Sequence, residues 1–393
     1  MKKILVFCLL AFSFFIIPAK AAEEAPTDVS FIYINGSNNM TYRNREKFKT
    51  AFLRDVQKLH PEIKKRFEKD ELINKNFLKD GKFTINPTPI TFYWGDKSIK
   101  IIKNIDKDLD SAKKYSPKIS HQVRSIFAHC LHDAVWVQKY HNMTKVLDEL
   151  HQVVQSEIQK GRKVVLLGYS AGSFVTYQYY MNKSISIYPQ EFTLNNYPKE
   201  IEKYIANTPI QPTCFDALVE ANIFKFNPET GNYLPLEDVE VFKKNYLNID
   251  KITPNVCFAN DSVKGVIGFA SPARLFYSDL MNPGGNLSNL SLLMSRTLVE
   301  NDAFYLTVNY QNDPFGFSNA ENFTYKKLEE IYPNKNAFAK NGKGFIYNKS
   351  DNYVPRTFIT AHLAYWQTPK RFAKAIVKAF NEGYRNFYNL NNN

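Results

Sequence analysis

Apolar positions along this chain come in short dense blocks separated by longer periodic stretches. Residues 29–36 (VSFIYING), 89–96 (PITFYWGD), 163–169 (KVVLLGY), 265–271 (GVIGFAS) and 303–310 (AFYLTVNY) are apolar at most positions, with a weaker sixth block at 344–348 (GFIYN). Each runs into polar turn residues, which predicts six strands. Most are apolar on both faces, as strands of a covered parallel sheet must be. The stretches between them carry a helical period. Residues 43–69 are charged and periodic. Residues 142–160 place Val146, Leu147, Leu150, Val153, Val154 and Ile158 on one side, and Gly161 ends the run. Residues 173–181 predict a helix after the third block. Residues 369–388 place Phe372, Ile376 and Phe380 at i, i+4 and i+8, opposite basic residues, which predicts a last helix packed on the sheet. Alternating strand and helix means an α/β fold with a mostly parallel sheet.

The rhythm breaks once. Residues 182–262 show no clear strand, several prolines and asparagines, and short helical pieces at 198–206 and 236–246. A connection inside an α/β unit normally takes only a few residues. Residues 183–262 therefore read as an insertion, either a cap over a site or a surface decoration. Its start just after a helix that leaves the third strand favours the cap.

The chain opens differently. Lys2 and Lys3 precede an apolar run from 4 to 17, interrupted only by Ser13, and Pro18-Ala19-Lys20-Ala21 follows with small residues at 19 and 21. That is the pattern of a signal peptide cleaved after Ala21, and it predicts a secreted or periplasmic protein in residues 22–393. The whole chain carries a formal charge of +13, of which Lys2, Lys3 and Lys20 lie in the leader with no acid, leaving +10. Such a balance favours peripheral contact with anionic surfaces. The cations are dispersed among acids, as in KKRFEKDE, and no nucleic-acid motif accompanies them, so nucleic acid is not an expected partner. Beyond the leader stand Cys130, Cys214 and Cys257. Cys214 and Cys257 share the irregular segment, where a disulfide or two thiols both fit.

The candidate chemistry lies in Gly168-Tyr169-Ser170-Ala171-Gly172, a G-x-S-x-G sequence between a strand-like and a helix-like run. A strand that turns sharply into a helix exposes its middle residue, and small neighbours avoid clashes there. The first amides of the helix then point at the serine, so Ala171 N–H is placed to donate to a developing oxyanion.

With this elbow, and with its order of strands, the chain resembles the α/β-hydrolase superfamily, in particular its lipase- and esterase-like serine hydrolases. The resemblance implies an α/β-hydrolase-type sheet and a triad in the order nucleophile, acid, histidine. Of seven histidines only His362 follows Ser170, in YVPRTFITAHLAYW, flanked closely by Tyr365 and Trp366. It is the implied base. Asp313, directly after the fifth block in FYLTVNYQNDPFGF, is the implied acid; Asp351 is the runner-up, and Asp302 precedes the same strand and belongs to the opposite edge. The second oxyanion donor is implied to be the N–H of Ser37, or else Gly36, after the first strand. There this chain has Asn35-Gly36 where many members have His-Gly.

A metal site is the competing reading. His129 and His132 are three apart on a predicted helix beside Cys130 and Asp133, with His121 two turns earlier, but no paired metal-ligand motif supports them. The expectation is thus a serine hydrolase of a small-molecule or lipid ester, needing no cofactor. A non-catalytic relative that binds an anionic surface or polymer is the alternative from another class, and thioesterase, peptidase and acyltransferase chemistries use the same triad.

Overall fold

The computed structural model describes residues 28–37, 45–78, 81–95, 140–187, 224–227, 232–235, 262–272, 301–317, 344–354 and 358–389, with isolated positions at 107, 110, 111, 132, 133, 136, 137 and 298. Residues 1–27, which include the expected signal peptide, lie outside them, as do all four cysteines, His121 and His129.

Six strands form one sheet: β1 (Val29–Ile34), β2 (Ile90–Phe92), β3 (Lys163–Tyr169), β6 (Val263–Phe269), β7 (Phe304–Tyr310) and β8 (Phe345–Asp351). Their order is β2-β1-β3-β6-β7-β8, and every neighbouring pair is parallel. This is the α/β architecture, with helices on both faces, that the apolar blocks predict.

Alternation along each strand sends successive side chains to opposite faces. On β7, Phe304 meets Phe380 of one helix layer while Tyr305 meets Tyr177 of the other. The first layer contains α1 (Arg45–Phe67), α2 (Glu71–Asn76), α5 (Phe358–Gln367) and α6 (Pro369–Asn389). Phe67 of α1 packs on Phe31, Phe372 of α6 packs on Phe269, and all are buried in one apolar cluster. The second layer contains α3 (Tyr140–Gln159) and α4 (Ala171–Ile187). Gly161, with φ of 78°, closes α3 in the left-handed conformation that glycine adopts without steric cost.

The strand order has a functional consequence. From β1 the chain leaves toward β2; from β3 it leaves in the opposite direction, toward β6. The carboxyl ends of β1 and β3 therefore flank the point where the topology reverses, and the two connections diverge there to leave a crevice. In open parallel sheets that crevice is where ligands bind.

Two expectations need correction. The segment 183–262 is not without strands: β4 (Phe224–Asn227) and β5 (Asn232–Pro235) form an antiparallel hairpin. Four-residue strands are too short for their alternation to stand out from a polar background. α4 also runs to Ile187, past the expected end at 181 and into the segment read as an insertion. The helical pieces expected at 198–206 and 236–246 lie outside the described residues, as does most of that segment. A further helix went unread: His362 lies on α5, ten residues that the sequence pattern left as a connection.

Candidate active site

The elbow is built by packing glycines against a strained serine. Ser170 has φ of 51°, a left-handed conformation that costs a non-glycine residue on the order of 1 kcal/mol. It is held there from both sides. Its N–H donates to Phe269 O at 2.9 Å, and its carbonyl accepts both Ser173 N–H at 2.9 Å and Ser173 Oγ–H at 2.6 Å. Ser173 Oγ lies 2.8 Å from Ser271 Oγ, which ties the elbow to the end of β6. A side chain at Gly168 would meet the Gly172 carbonyl at 2.5 Å, and one at Gly172 would meet the carbonyls of Ile34 and Asn35. Both glycines are therefore demanded by close approach of backbone to backbone, the first within the elbow and the second between α4 and β1.

His362 reaches Ser170 from α5. Its Nε2 lies 3.0 Å from Ser170 Oγ. Its Nδ1 lies 3.0 Å from Asp313 Oδ1 and 3.3 Å from Oδ2. Tyr169 holds the histidine's main chain, donating its hydroxyl to His362 O at 2.8 Å, and its ring lies 5.2 Å from the imidazole. Phe315 packs edge-on against that imidazole at 4.9 Å. The ring is thus fixed at both nitrogens and covered by two aromatics.

Asp313 follows β7 and is buried. Its Oδ1 also accepts Phe315 N–H at 3.0 Å, and its Oδ2 accepts the Tyr365 hydroxyl at 2.8 Å. Burial, reinforced by the Asp313 charge, pushes the Tyr365 phenol well above its usual range, so it remains a protonated donor. No cation touches Asp313 among the described residues.

The loop after β1 closes the other side. A Cβ at Gly36 would lie 2.8 Å from Ser170 Cβ, so only glycine lets this loop lie against the serine. Asn35 is fully buried. Its Oδ1 accepts Trp94 N–H at 2.9 Å, its Nδ2 donates to Gly36 O at 2.6 Å, and its carbonyl accepts Trp94 Nε1–H at 2.6 Å. Because a trans peptide points its carbonyl and amide in opposite directions, tying Gly36 O to Asn35 turns Ser37 N–H away from that side chain. Among the described residues neither Ser37 N–H nor Ala171 N–H has an acceptor, and Ala171 opens the 17-residue α4, whose amino end carries partial positive charge.

The structure thus brings Ser170, His362 and Asp313 into one hydrogen-bonded chain and sets Gly36 beside Ser170. Asp351, the alternative acid, is engaged elsewhere, with Arg371 at 2.9 Å and Tyr353 N–H at 3.0 Å. Asp302 precedes β7 at the far edge, with φ of 52°. His132 contacts its neighbour Asp133 at 3.4 Å, and the described residues contain no group of three His, Cys, Asp or Glu side chains that would hold a metal. Sequence reasoning missed the contacts of Tyr169, Tyr365 and Asn35, since nothing in local pattern separates these side chains from the many other tyrosines and asparagines. No family model, no curated protein and no solved structure matches this chain.

Proposed function

We propose that this chain is an exported serine hydrolase of the α/β-hydrolase type, acting on carboxylic esters through Ser170, His362 and Asp313. One observation carries the reading. Side chains 192 and 49 residues apart in the chain form the continuous contact Ser170 Oγ, His362 Nε2, His362 Nδ1, Asp313 carboxylate, at the carboxyl edge of a parallel sheet. A hydroxyl needs a base in contact to become a nucleophile, and the base needs an orienting acid on its other nitrogen.

The steps follow from these contacts. Ser170 Oγ attacks the ester carbonyl carbon while His362 Nε2 takes its proton. The carbonyl oxygen gains charge and is held by Ala171 N–H and Ser37 N–H. The intermediate collapses, the C–O bond to the leaving alcohol breaks, and Nε2–H protonates that alcohol. Water, deprotonated by the same nitrogen, then releases the acid and restores Ser170. Asp313 keeps Nδ1–H facing itself and offsets the positive imidazole without accepting its proton. The apolar run at residues 4–17 supplies the export signal in this reading.

A fluorophosphonate probe tests it. The purified protein should be labelled at Ser170, and Ser170→Ala should abolish labelling while keeping its thermal melting point. Folded wild type that resists the probe overturns the proposal. p-Nitrophenyl esters of graded length then sort the substrate: activity confined to long chains points to a lipase, and activity on short chains to an esterase.

A further inference from the structure

We infer that Tyr365 is a positioning residue for this reaction: its hydroxyl holds the Asp313 carboxylate in place and draws off part of its charge. The inference rests on the serine hydrolase reading.

Tyr365 stands three residues after His362 on α5, so the base and this phenol lie on the same side of one helix. The two side chains grip the same carboxylate. His362 Nδ1 approaches Oδ1 most closely, while the Tyr365 hydroxyl takes Oδ2 at 2.8 Å. The phenol is itself oriented. Its oxygen accepts Tyr310 N–H at 2.7 Å, which leaves its single proton for Asp313. Its ring is fully buried and stacked on Tyr310 at 4.2 Å and 8° between planes. Phe269 and Phe372 close in at 5.7 and 5.1 Å. A group packed this way costs no reorganisation during turnover.

The electrostatic role follows from what Asp313 lacks. A buried carboxylate with no cation must have its charge spread over hydrogen bonds. Among the described residues Asp313 has two donors besides His362, the Phe315 amide and the Tyr365 hydroxyl. A backbone amide is set by the fold, so the phenol is the adjustable one. Withdrawing it leaves Oδ2 less stabilised and more attractive to a positive imidazole. The carboxylate also has one restraint fewer on its rotation.

The experiment measures the rate constant of fluorophosphonate labelling against pH, which counts only molecules able to react and so does not depend on the folded fraction. Tyr365→Phe should slow labelling at neutral pH about tenfold, the loss expected for one hydrogen bond to a charged group. Its acid limb should move to higher pH by roughly half a unit. Tyr169→Phe, which removes a hydroxyl from the main chain of the same histidine, should leave the limb where it is. In a double-mutant cycle, adding Tyr365→Phe to Asp313→Asn should cost less than about twofold, because the phenol acts through the carboxylate. Should Tyr365→Phe give no reactive protein, 3-fluorotyrosine placed at position 365 keeps both bonds and donates more strongly, so the limb should move to lower pH.

An unmoved limb, an equal movement in Tyr169→Phe, or a full tenfold cost in the Asp313→Asn background overturns the inference and makes Tyr365 a packing residue. These outcomes leave the serine hydrolase reading standing. A wild type without labelling removes that reading, and this inference with it.

Discussion

The sheet carries a buried carboxylate at each end, and the two are treated in opposite ways. Glu157, at the amino edge, accepts Ser30 Oγ–H at 2.6 Å, Lys160 Nζ at 2.5 Å and Arg162 Nη1 at 2.8 Å. Asp313, at the carboxyl edge, has neutral donors and an imidazole. Burial alone would raise Glu157, but the bonds from Lys160, Ser30 and Arg162 outweigh it and hold the carboxyl below its usual range. Its charge is balanced permanently, and what it does is pin α3 to β1. Among the described residues Asp313 has no fixed countercharge, so in the proposed reaction its field is free to offset a positive charge forming on His362. A site in which every charge were already paired would have nothing left to offer a transition state.

The histidines divide similarly. His60 is held between Tyr33 OH at 3.0 Å and Asn86 O at 2.8 Å, and burial lowers it below the ordinary imidazole range. His151 meets Tyr179 OH at 2.8 Å inside the α3–α4 layer, and burial lowers it to about 4. Both are neutral packing elements, whereas among the described histidines His362 alone is joined to a hydroxyl on one side and a carboxylate on the other.

The sharpest break in this contrast is Asp313→Asn. It should lower kcat/KM for a reactive ester by about three to four orders of magnitude, through the wrong imidazole tautomer, with little change in melting temperature. Next in size is the protonation of His151. Between its unfolded value near 6.5 and about 4, the unfolded chain binds a proton that the folded chain does not. Stability therefore falls as pH drops across that window, by up to about 3 kcal/mol, and is level with respect to this group above it. His151→Gln should flatten that part of the curve in denaturant titrations, leaving the slope unchanged if the histidine is exposed in solution. Glu157→Gln should cost about 2 kcal/mol at pH 7, leaving two cations short of their partner, with activity per folded molecule unchanged. Because the folded value is depressed, the Glu157 contribution is complete above the ordinary carboxyl range and lost as pH falls through the folded value, so wild type and variant should converge in acid. The smallest effect belongs to Gly36→Ala. A methyl 2.8 Å from Ser170 Cβ must push the loop away, and kcat should fall about tenfold with KM changed less. A rise in KM alone would place the loop in substrate binding and not in transition-state support.

Much of this was legible along the chain, and the reason is local. Strands buried on both faces must be apolar throughout, so five blocks marked β1, β2, β3, β6 and β7 and a weaker one marked β8, to within a few residues at most ends. The elbow was legible because a serine forced to positive φ against neighbouring backbone requires small residues at 168 and 172. Helix α5 was not. Most of FITAHLAYWQ is apolar in sequence and Ala361, Ala364, Tyr365 and Trp366 are buried, so the stretch has no broad polar face to give a period.

Order along the chain therefore specifies the layers, the turn that bears Ser170, and the positions from which an acid and a base can come. It does not specify which way α5 lies, that Tyr365 and His362 take the two oxygens of one carboxylate, or that Asn35 turns the Gly36 peptide. Those are settled by packing of parts far apart in the chain, because a hydrogen bond of 2.8 Å between residues 313 and 365 depends on the sheet register and helix placement together, and no local pattern encodes their product.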